Sequence, residues 1–118
     1  LMVAGNHDIW TTPELAEKGL NSWAKLDKLI PAICQEAGAE CLDAGPVQVG
    51  GISFAGSLGW YDLSTREYLA DIPMEAYRSG IWGGMQWMDH RRTVWQTPGG
   101  EPQKPEEIAA IENDVKKK

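Results

Sequence analysis

The first eight residues place the tightest constraint on how this chain folds. Residues 1–4 are an apolar run that stops at Gly5, and Asn6, His7 and Asp8 follow at once. A short apolar run closed by glycine and asparagine is typical of a buried strand that ends in a turn. The sequence therefore predicts the end of a buried strand at 1–4, with three polar side chains just beyond its carboxyl end.

Length and charge limit the classes of protein that fit. The 118 residues are enough for one small domain, and a content of 42% hydrophobic and 24% charged residues disfavours both a disordered tail and a membrane protein. The net charge of -6 disfavours nonspecific nucleic-acid binding. It still permits a phosphorylated substrate if metal ions supply the positive charge.

The cysteines indicate the redox environment. Cys34 and Cys41 are too few for a disulfide framework, and they lack the CxxC spacing of a structural zinc site. We therefore expect two free thiols in a reducing compartment, which favours a cytoplasmic location. No apolar run approaches the ~18 residues of a membrane-spanning helix, so no membrane partner is expected.

Helical spacing is clearest in the first third of the chain. A short helical turn is predicted at 13–18, with Thr12 as its cap. A longer helix begins after a cap at Asn21 or Ser22, contains a kink or a junction of two helices at Pro31, and ends at Gly38. Its apolar face is predicted from residues three or four positions apart: Leu26, Ile30, Ile33 and Ala37.

Short strands follow this helix. They are predicted at 40–42, 46–49 and 52–56. The pair Gly50-Gly51 predicts a two-residue hairpin turn between the last two, since glycine adopts positive φ readily. These elements, together with the helices, predict the α/β class with a layered architecture.

Regular spacing fails from residue 57 to residue 96. Short helices are predicted near 74–78 and 89–95, and 97–105 is predicted as a surface loop. A last helix is predicted from Pro105, and we expect its apolar stripe to need a partner from outside these residues. The stripe consists of Ile108, Ile111 and Val115.

The polar residues after the first strand are of the types that take part in metal-assisted catalysis. Active sites of α/β folds lie beyond the carboxyl ends of strands. The amide oxygen of Asn6 suits a divalent cation, the imidazole of His7 can donate a proton, and the carboxylate of Asp8 can orient that imidazole. The alternative is a polar turn without chemistry, because asparagine, aspartate and glycine also favour turns.

The motif "GNHD" after a short apolar strand resembles the central motif of the calcineurin-like metallophosphoesterases. The stretches "IW", "KLDKLI" and "GPVQVGGISFAGSLGWYD" are similar to one bacterial branch of that superfamily, and "GIWGGMQWMDHRRTVW" fits loosely. The resemblance implies a layered α/β sandwich and a phosphoesterase that hydrolyses phosphate mono- or diesters.

The resemblance also implies roles for individual residues. Asn6 would ligate one of two divalent metal ions, which could be manganese, iron or zinc. His7 would contact the scissile phosphate as general acid or charge stabiliser, and Asp8 would support His7. A metal-bridging hydroxide would attack phosphorus.

Several motifs of that superfamily are missing from this sequence. An upstream D-x-H, an upstream G-D-x-x-x-D segment, a downstream lone histidine and a downstream G-H-x-H are not found, and the chain has only two histidines, His7 and His90. We therefore expect residues 1–118 to be the middle segment of a metallophosphoesterase domain and to be inactive alone.

Aromatic residues support a second interpretation of the same chain. Four of six tryptophans lie between 60 and 95. Such a stretch either packs a core or lines a cleft. The alternative function is therefore a non-enzymatic, tryptophan-rich module that binds a ligand or a peptide.

Several residues in and beside this stretch have two alternative roles. Trp60, Tyr61 and Asp62 could face a substrate or pack beneath a loop, and Arg66 could bind a substrate phosphate or be solvated. His90 is expected at the surface or at a helix end. The expected role of its neighbour is an ion pair on a solvated face, between Asp89 and Arg91 or Arg92.

Overall fold

The computed structural model describes residues 1–64, 71–96, 100–104 and 107–108, and these contain both helices and strands, as predicted. In chain order the elements are α1 (Pro13–Glu17), α2 (Ser22–Ala24), a π-helical turn (Lys25–Leu29), α3 (Ile30–Glu36), β1 (Val47–Val49), β2 (Ile52–Phe54), α4 (Met74–Ser79), β3 (Ile81–Trp82), β4 (Met85–Gln86) and α5 (Met88–Arg92). The chain is thus of mixed α/β composition.

The first residues form less of a strand than the apolar run predicts. Met2 makes a single parallel bridge with Cys41, and this bridge also replaces the strand predicted at 40–42. Leu1 is 58% exposed and Val3 is 41% exposed, so the prediction of a buried strand at 1–4 is wrong. Side chains alternate between faces along extended chain, and here only the face that carries Ala4 is covered well.

One carboxylate ties three extended segments together. Asp43 accepts hydrogen bonds from the N–H of Ala4 at 2.6 Å and from the N–H of Leu58 at 2.7 Å. Between these segments, a Cβ at Gly56 would lie 2.7 Å from the Cβ of Leu42, so only glycine fits there. This junction fixes the backbone immediately before the Asn-His-Asp turn.

The predicted helix caps are confirmed. The Thr12 side chain accepts from the N–H of Leu15 at the start of α1, and the Asn21 side chain accepts from Ala24 at the start of α2. These side chains satisfy N–H groups that have no partner within a helix. Gly38 has φ +67°, the left-handed conformation expected after a helix end.

The junction predicted at Pro31 is confirmed, and it displaces the buried face. Pro31 has no N–H to offer the preceding turn, and just before it the N–H of Ile30 bonds to the carbonyl of Lys25, five residues back. The wider turn favours a spacing of four, so the buried residues are Leu26, Ile30 and Cys34. Ile33 is 54% exposed, and its predicted place in the core is therefore wrong.

Two hairpins use the same turn chemistry. β1 and β2 pair antiparallel around Gly50 and Gly51, which have φ of +57° and +80°, as predicted. β3 and β4 pair in the same way around Gly83 and Gly84, with φ of +56° and +77°. The second hairpin was not predicted, although its two adjacent glycines give the same sequence signal.

The later part of the chain folds back on the core. The helices predicted near 74–78 and 89–95 correspond to α4 and α5, although α5 begins at Met88 and ends at Arg92. In the predicted loop, residues 97–99 and 105 lie outside the described residues, whereas Gln96 and Pro102 form an antiparallel bridge. The predicted last helix lies almost wholly outside the described residues.

The first residue of the last apolar stripe packs within the chain itself. Ile108 is 1% exposed and belongs to the main hydrophobic cluster, so the expectation of an external partner is wrong for this residue. Ile111 and Val115 lie outside the described residues. The buried members of the cluster are Ala4, Ile9, Leu26, Ile30, Cys34, Cys41, Trp60, Trp95 and Ile108.

Candidate functional site

The Asn-His-Asp motif forms an exposed turn between two buried anchors. Ala4 before it and Ile9 after it are 4% and 0% exposed, whereas Asn6, His7 and Asp8 are all exposed. Anchoring on both sides lets the three polar side chains project from a fixed stretch of backbone.

Asp8 closes this turn on itself. The N–H of Asp8 donates to the carbonyl of Gly5 at 3.1 Å, and the Asp8 carboxylate accepts from the N–H of Gly5 at 2.8 Å. Among the described residues, the Asp8 carboxylate makes no hydrogen bond with the imidazole of His7. The role predicted for Asp8 as support for His7 therefore stays a prediction, while its hydrogen bonds shape the turn.

A distant carboxylate meets the motif. Asp89, on α5, accepts from Nδ2 of Asn6 at 2.9 and 3.2 Å and from Nε1 of Trp10 at 2.7 Å. Asp89 is 5% exposed, so the ion pair expected on a solvated face is wrong: the side chain points inward to two neutral donors. We call Asn6, Trp10 and Asp89 the amide corner.

The amide corner fixes the orientation of the Asn6 side chain. An ionised carboxylate can only accept hydrogen bonds, so the group of Asn6 that faces Asp89 must be its NH₂. The amide oxygen Oδ1 is the remaining polar atom of that side chain. It is the atom type that divalent cations prefer in asparagine.

His7 adjoins the same corner through Trp10. The centroids of the two rings lie 3.8 Å apart with an angle of 32° between the ring planes. Because the indole N–H of Trp10 is bonded to Asp89, one aromatic ring connects the predicted proton donor with the buried carboxylate. Sequence reasoning assigned neither Trp10 nor Asp89 to the site, and the residues between them give no spacing that could have linked them.

Backbone contacts hold α5 against the motif. The N–H of Thr11 donates to the carbonyl of Arg92 at 2.6 Å. Ser22 is fully buried, donates its hydroxyl to the carbonyl of Ile9 and accepts from the N–H of Val94 at 2.9 Å. The placement of Asp89 therefore depends on a hydrogen-bonded connection between the first and last thirds of the chain.

A cavity of about 490 Å³ is lined in part by His90, the residue that follows Asp89. We call it the aromatic cavity. It is lined by Trp60, Tyr61, Glu75, Arg78, His90, Thr93, Trp95, Gln103, Lys104 and Ile108.

The predicted "GWYD" residues divide between core and cavity. Trp60 is 8% exposed and packs edge-on against Trp95 with centroids 5.1 Å apart, while Tyr61 stacks on Trp60 at 4.8 Å and on Trp87 at 4.6 Å. Trp60 is therefore a core residue that also lines the cavity, and its predicted contact with a substrate stays a prediction. Burial, with the nearby charge of Asp89, raises the pKa of the Tyr61 hydroxyl, which therefore stays protonated.

The other two predicted substrate residues do not reach the cavity or cannot be placed. Asp62 is exposed and accepts from the N–H of Ser64 at 2.8 Å. Hydrogen bonding by the side chain of Ser64, and then by its backbone, lowers the pKa of the Asp62 carboxyl. Asp62 is not among the lining residues. Arg66 lies outside the described residues.

His90 lies in the last turn of α5, which is one of the two expected positions, and it is half-buried. Burial lowers the pKa of its imidazole, against a smaller opposing effect of Asp89. A Cβ at Gly80 would lie 2.6 Å from Cγ of His90, so the glycine backbone packs directly against the ring. Its Nε2 is buried and has no hydrogen-bond partner in the described part of the chain, and the same holds for Nε1 of Trp95.

The described side chains fit a bound metal only in part. Within residues 1–64, 71–96, 100–104 and 107–108, no group of three or more histidine, cysteine, aspartate or glutamate side chains lies together as a metal site. The amide oxygen of Asn6 is one suitable ligand. Further ligands for a metal at Asn6 would have to come from outside these residues.

Comparisons with known proteins do not extend this picture. A scan against protein-family models, a search of curated proteins and a search of solved structures each found no match. Among the described helices, none has the length and apolar character needed to cross a membrane.

Proposed function

We propose that this chain carries the Asn-His-Asp corner of a metal-dependent phosphoesterase with a layered α/β sandwich, and that it acts on phosphate mono- or diesters. The observation that supports this most directly is the pair of hydrogen bonds from Asn6 Nδ2 to the buried carboxylate of Asp89. These bonds orient the amide with its oxygen left for a cation.

Each residue has a distinct role in this proposal. Asn6 offers Oδ1 to one metal ion, and His7, held by the Trp10 ring, contacts the phosphate and donates a proton to the leaving group. Asp8 shapes the turn, and Asp89 is a positioning residue for Asn6. Two divalent ions, manganese, iron or zinc, supply a hydroxide nucleophile and neutralise charge when bound.

The setting proposed for this activity follows from the thiols. Cys34 and Cys41 are both free and buried, and burial together with the adjacent Cys41 raises the pKa of the Cys34 thiol. Thiols in this protonated state are poor nucleophiles. We propose a reducing, cytoplasmic location and no catalytic role for either cysteine.

The test is manganese binding followed by calorimetry. In the full reading frame that encodes this chain, we expect Asn6→Ala to weaken Mn²⁺ binding by about tenfold or more, because the amide oxygen is a ligand. Gln48→Ala is the matched control, since it removes another exposed amide, on β1, and should leave the affinity unchanged. Equal Mn²⁺ affinity in Asn6→Ala and the parent chain would contradict the proposal.

Turnover tests the role of His7. In the full reading frame that encodes this chain, assayed with Mn²⁺ and an aryl phosphate, His7→Ala should lower the rate by ~10² to 10⁴ and keep the metal content. An unchanged rate would remove His7 from the mechanism.

The second candidate function is the non-enzymatic binding module. The aromatic cavity favours it, because three packed indole and phenol rings line a volume of ligand size. It predicts ligand binding with no Mn²⁺ bound at Asn6. Calorimetry with Mn²⁺ therefore distinguishes the two candidate functions.

A further inference from the structure

We propose that the aromatic cavity binds an organic phosphate that carries a planar ring, such as an aryl phosphate. As a substrate class this rests on the proposed phosphoesterase function. The binding itself requires no metal. The cavity volume of about 490 Å³ is within the range of small-molecule sites, which is ~300–1,000 Å³.

The ring-binding part of the cavity is rigid. Trp95 packs edge-on against both Trp23, at 4.5 Å, and Trp60, at 5.1 Å, and Tyr61 is held between Trp60 and Trp87. Rings locked by other rings lose little conformational freedom when a ligand binds. A flat, apolar group fits such a wall better than a flexible chain does.

The charges around the cavity select an anion. Among the described residues, Arg78 and Lys104 line it together with one acidic residue, Glu75, although the whole chain has a net charge of -6. Positive side chains around a cavity raise the local electrostatic potential and attract an anion there, even on a protein of net negative charge. Phosphate oxygens are good acceptors for guanidinium and ammonium groups.

Two lining residues carry a buried nitrogen atom without a partner among the described residues. Trp95 is 7% exposed, and this holds for its Nε1; it also holds for Nε2 of His90. Buried polar atoms are nearly always paired, so these two positions are unusual in the wall of the cavity.

The cavity and the amide corner share one helix. His90 lines the cavity, and the preceding residue, Asp89, holds Asn6. Both residues lie on the short helix α5.

The experiment measures binding of phenyl phosphate in the presence of EDTA, by tryptophan fluorescence and calorimetry. We expect saturable binding, with inorganic phosphate and phenol each at least about tenfold weaker, since each supplies only one of the two contacts. Equal binding of inorganic phosphate would overturn the ring assignment, and no saturable binding below about 10 mM would overturn the site.

Variants locate the binding. Arg78→Gln and Lys104→Gln should each weaken phenyl phosphate by about three- to tenfold through loss of a charge-assisted contact. Arg91→Gln is the matched control: Arg91 is an exposed cation on α5 that does not line the cavity, and its loss should change nothing. An equal loss in all three variants would indicate only general charge attraction.

A fourth variant separates this proposal from the phosphoesterase proposal. Asn6→Ala should keep phenyl phosphate binding in EDTA, because Asn6 does not line the cavity. Failure of Mn²⁺ binding with retained phenyl phosphate binding would reject the metal site alone. Loss of phenyl phosphate binding with retained Mn²⁺ binding would reject the cavity alone.

Discussion

The amide corner and the aromatic cavity include consecutive residues of α5, but they differ in how their polar atoms are hydrogen-bonded. In the corner, the carboxylate of Asp89 receives hydrogen bonds from Asn6 and Trp10. In the cavity, Nε1 of Trp95 and Nε2 of His90 have no partner within the described residues. The corner is organised by hydrogen bonds within the protein, whereas the residues that line the cavity include two buried nitrogen atoms that the described residues leave unpaired.

The largest effect on stability is expected from Gly80→Ala, which disturbs the packing of His90 in the cavity wall. Gly80 has φ +68°, and its new Cβ would lie 2.6 Å from Cγ of His90. A left-handed alanine and the clash with the ring together should lower the free energy of unfolding by about 3 kcal/mol. Urea unfolding measures this.

The matched control for Gly80→Ala is Gly83→Ala. Gly83 has φ +56° and open space around the position of a Cβ, so it should show only the backbone cost of about 1 kcal/mol. The same loss in both variants would mean that packing against His90 does not stabilise the cavity wall.

A smaller effect on stability is expected from Asp89→Ala, which removes the carboxylate of the amide corner. It leaves the donors of Asn6 and Trp10 without an acceptor and should cost about 2 kcal/mol, because relief of the buried charge offsets part of the loss. Asp89→Asn, which keeps one acceptor, should cost less. Under the phosphoesterase proposal, Asp89→Asn should also weaken Mn²⁺ binding, a readout that loss of stability alone does not move.

The next prediction concerns pH and the imidazole of His90. Its pKa is lowered by burial, so around its usual pKa of 6.5 the unfolded chain binds more protons than the folded chain. Stability from this group is therefore complete above that pH and is lost as the pH falls through it. Urea unfolding at about pH 5.5 and about pH 7.5 should show a smaller difference for His90→Gln than for the parent chain. Identical differences would contradict the assignment.

The smallest effect is expected from Asp62→Ala, at the margin of the cavity. Asp62 is exposed and bonds only locally to Ser64, so its loss should change stability by less than about 0.5 kcal/mol. Phenyl phosphate affinity should be unchanged. A clear loss of affinity would show that the cavity extends to Asp62 and would restore the role that the sequence predicts.

Local chemistry made much of the secondary structure predictable. Thr12 and Asn21 cap helices, and Gly50-Gly51 turns a hairpin, because each effect depends on neighbours within a few residues. The hairpin at Gly83-Gly84 has the same signal, but its strands are two residues each and show no alternation to support it. The failure at Ile33 has another cause: the π-helical turn changes which side chains face inward.

The sequence by itself determined the helix caps and the polar turn that contains Asn6, His7 and Asp8, because these depend on residues adjacent in the chain. Tertiary structure alone decided that Asp89 is the partner of Asn6, that Trp60 and Trp95 share one cavity wall, and that Ile108 is part of the core. Contacts between residues tens of positions apart depend on how the whole chain packs, and one sequence carries no spacing that records them.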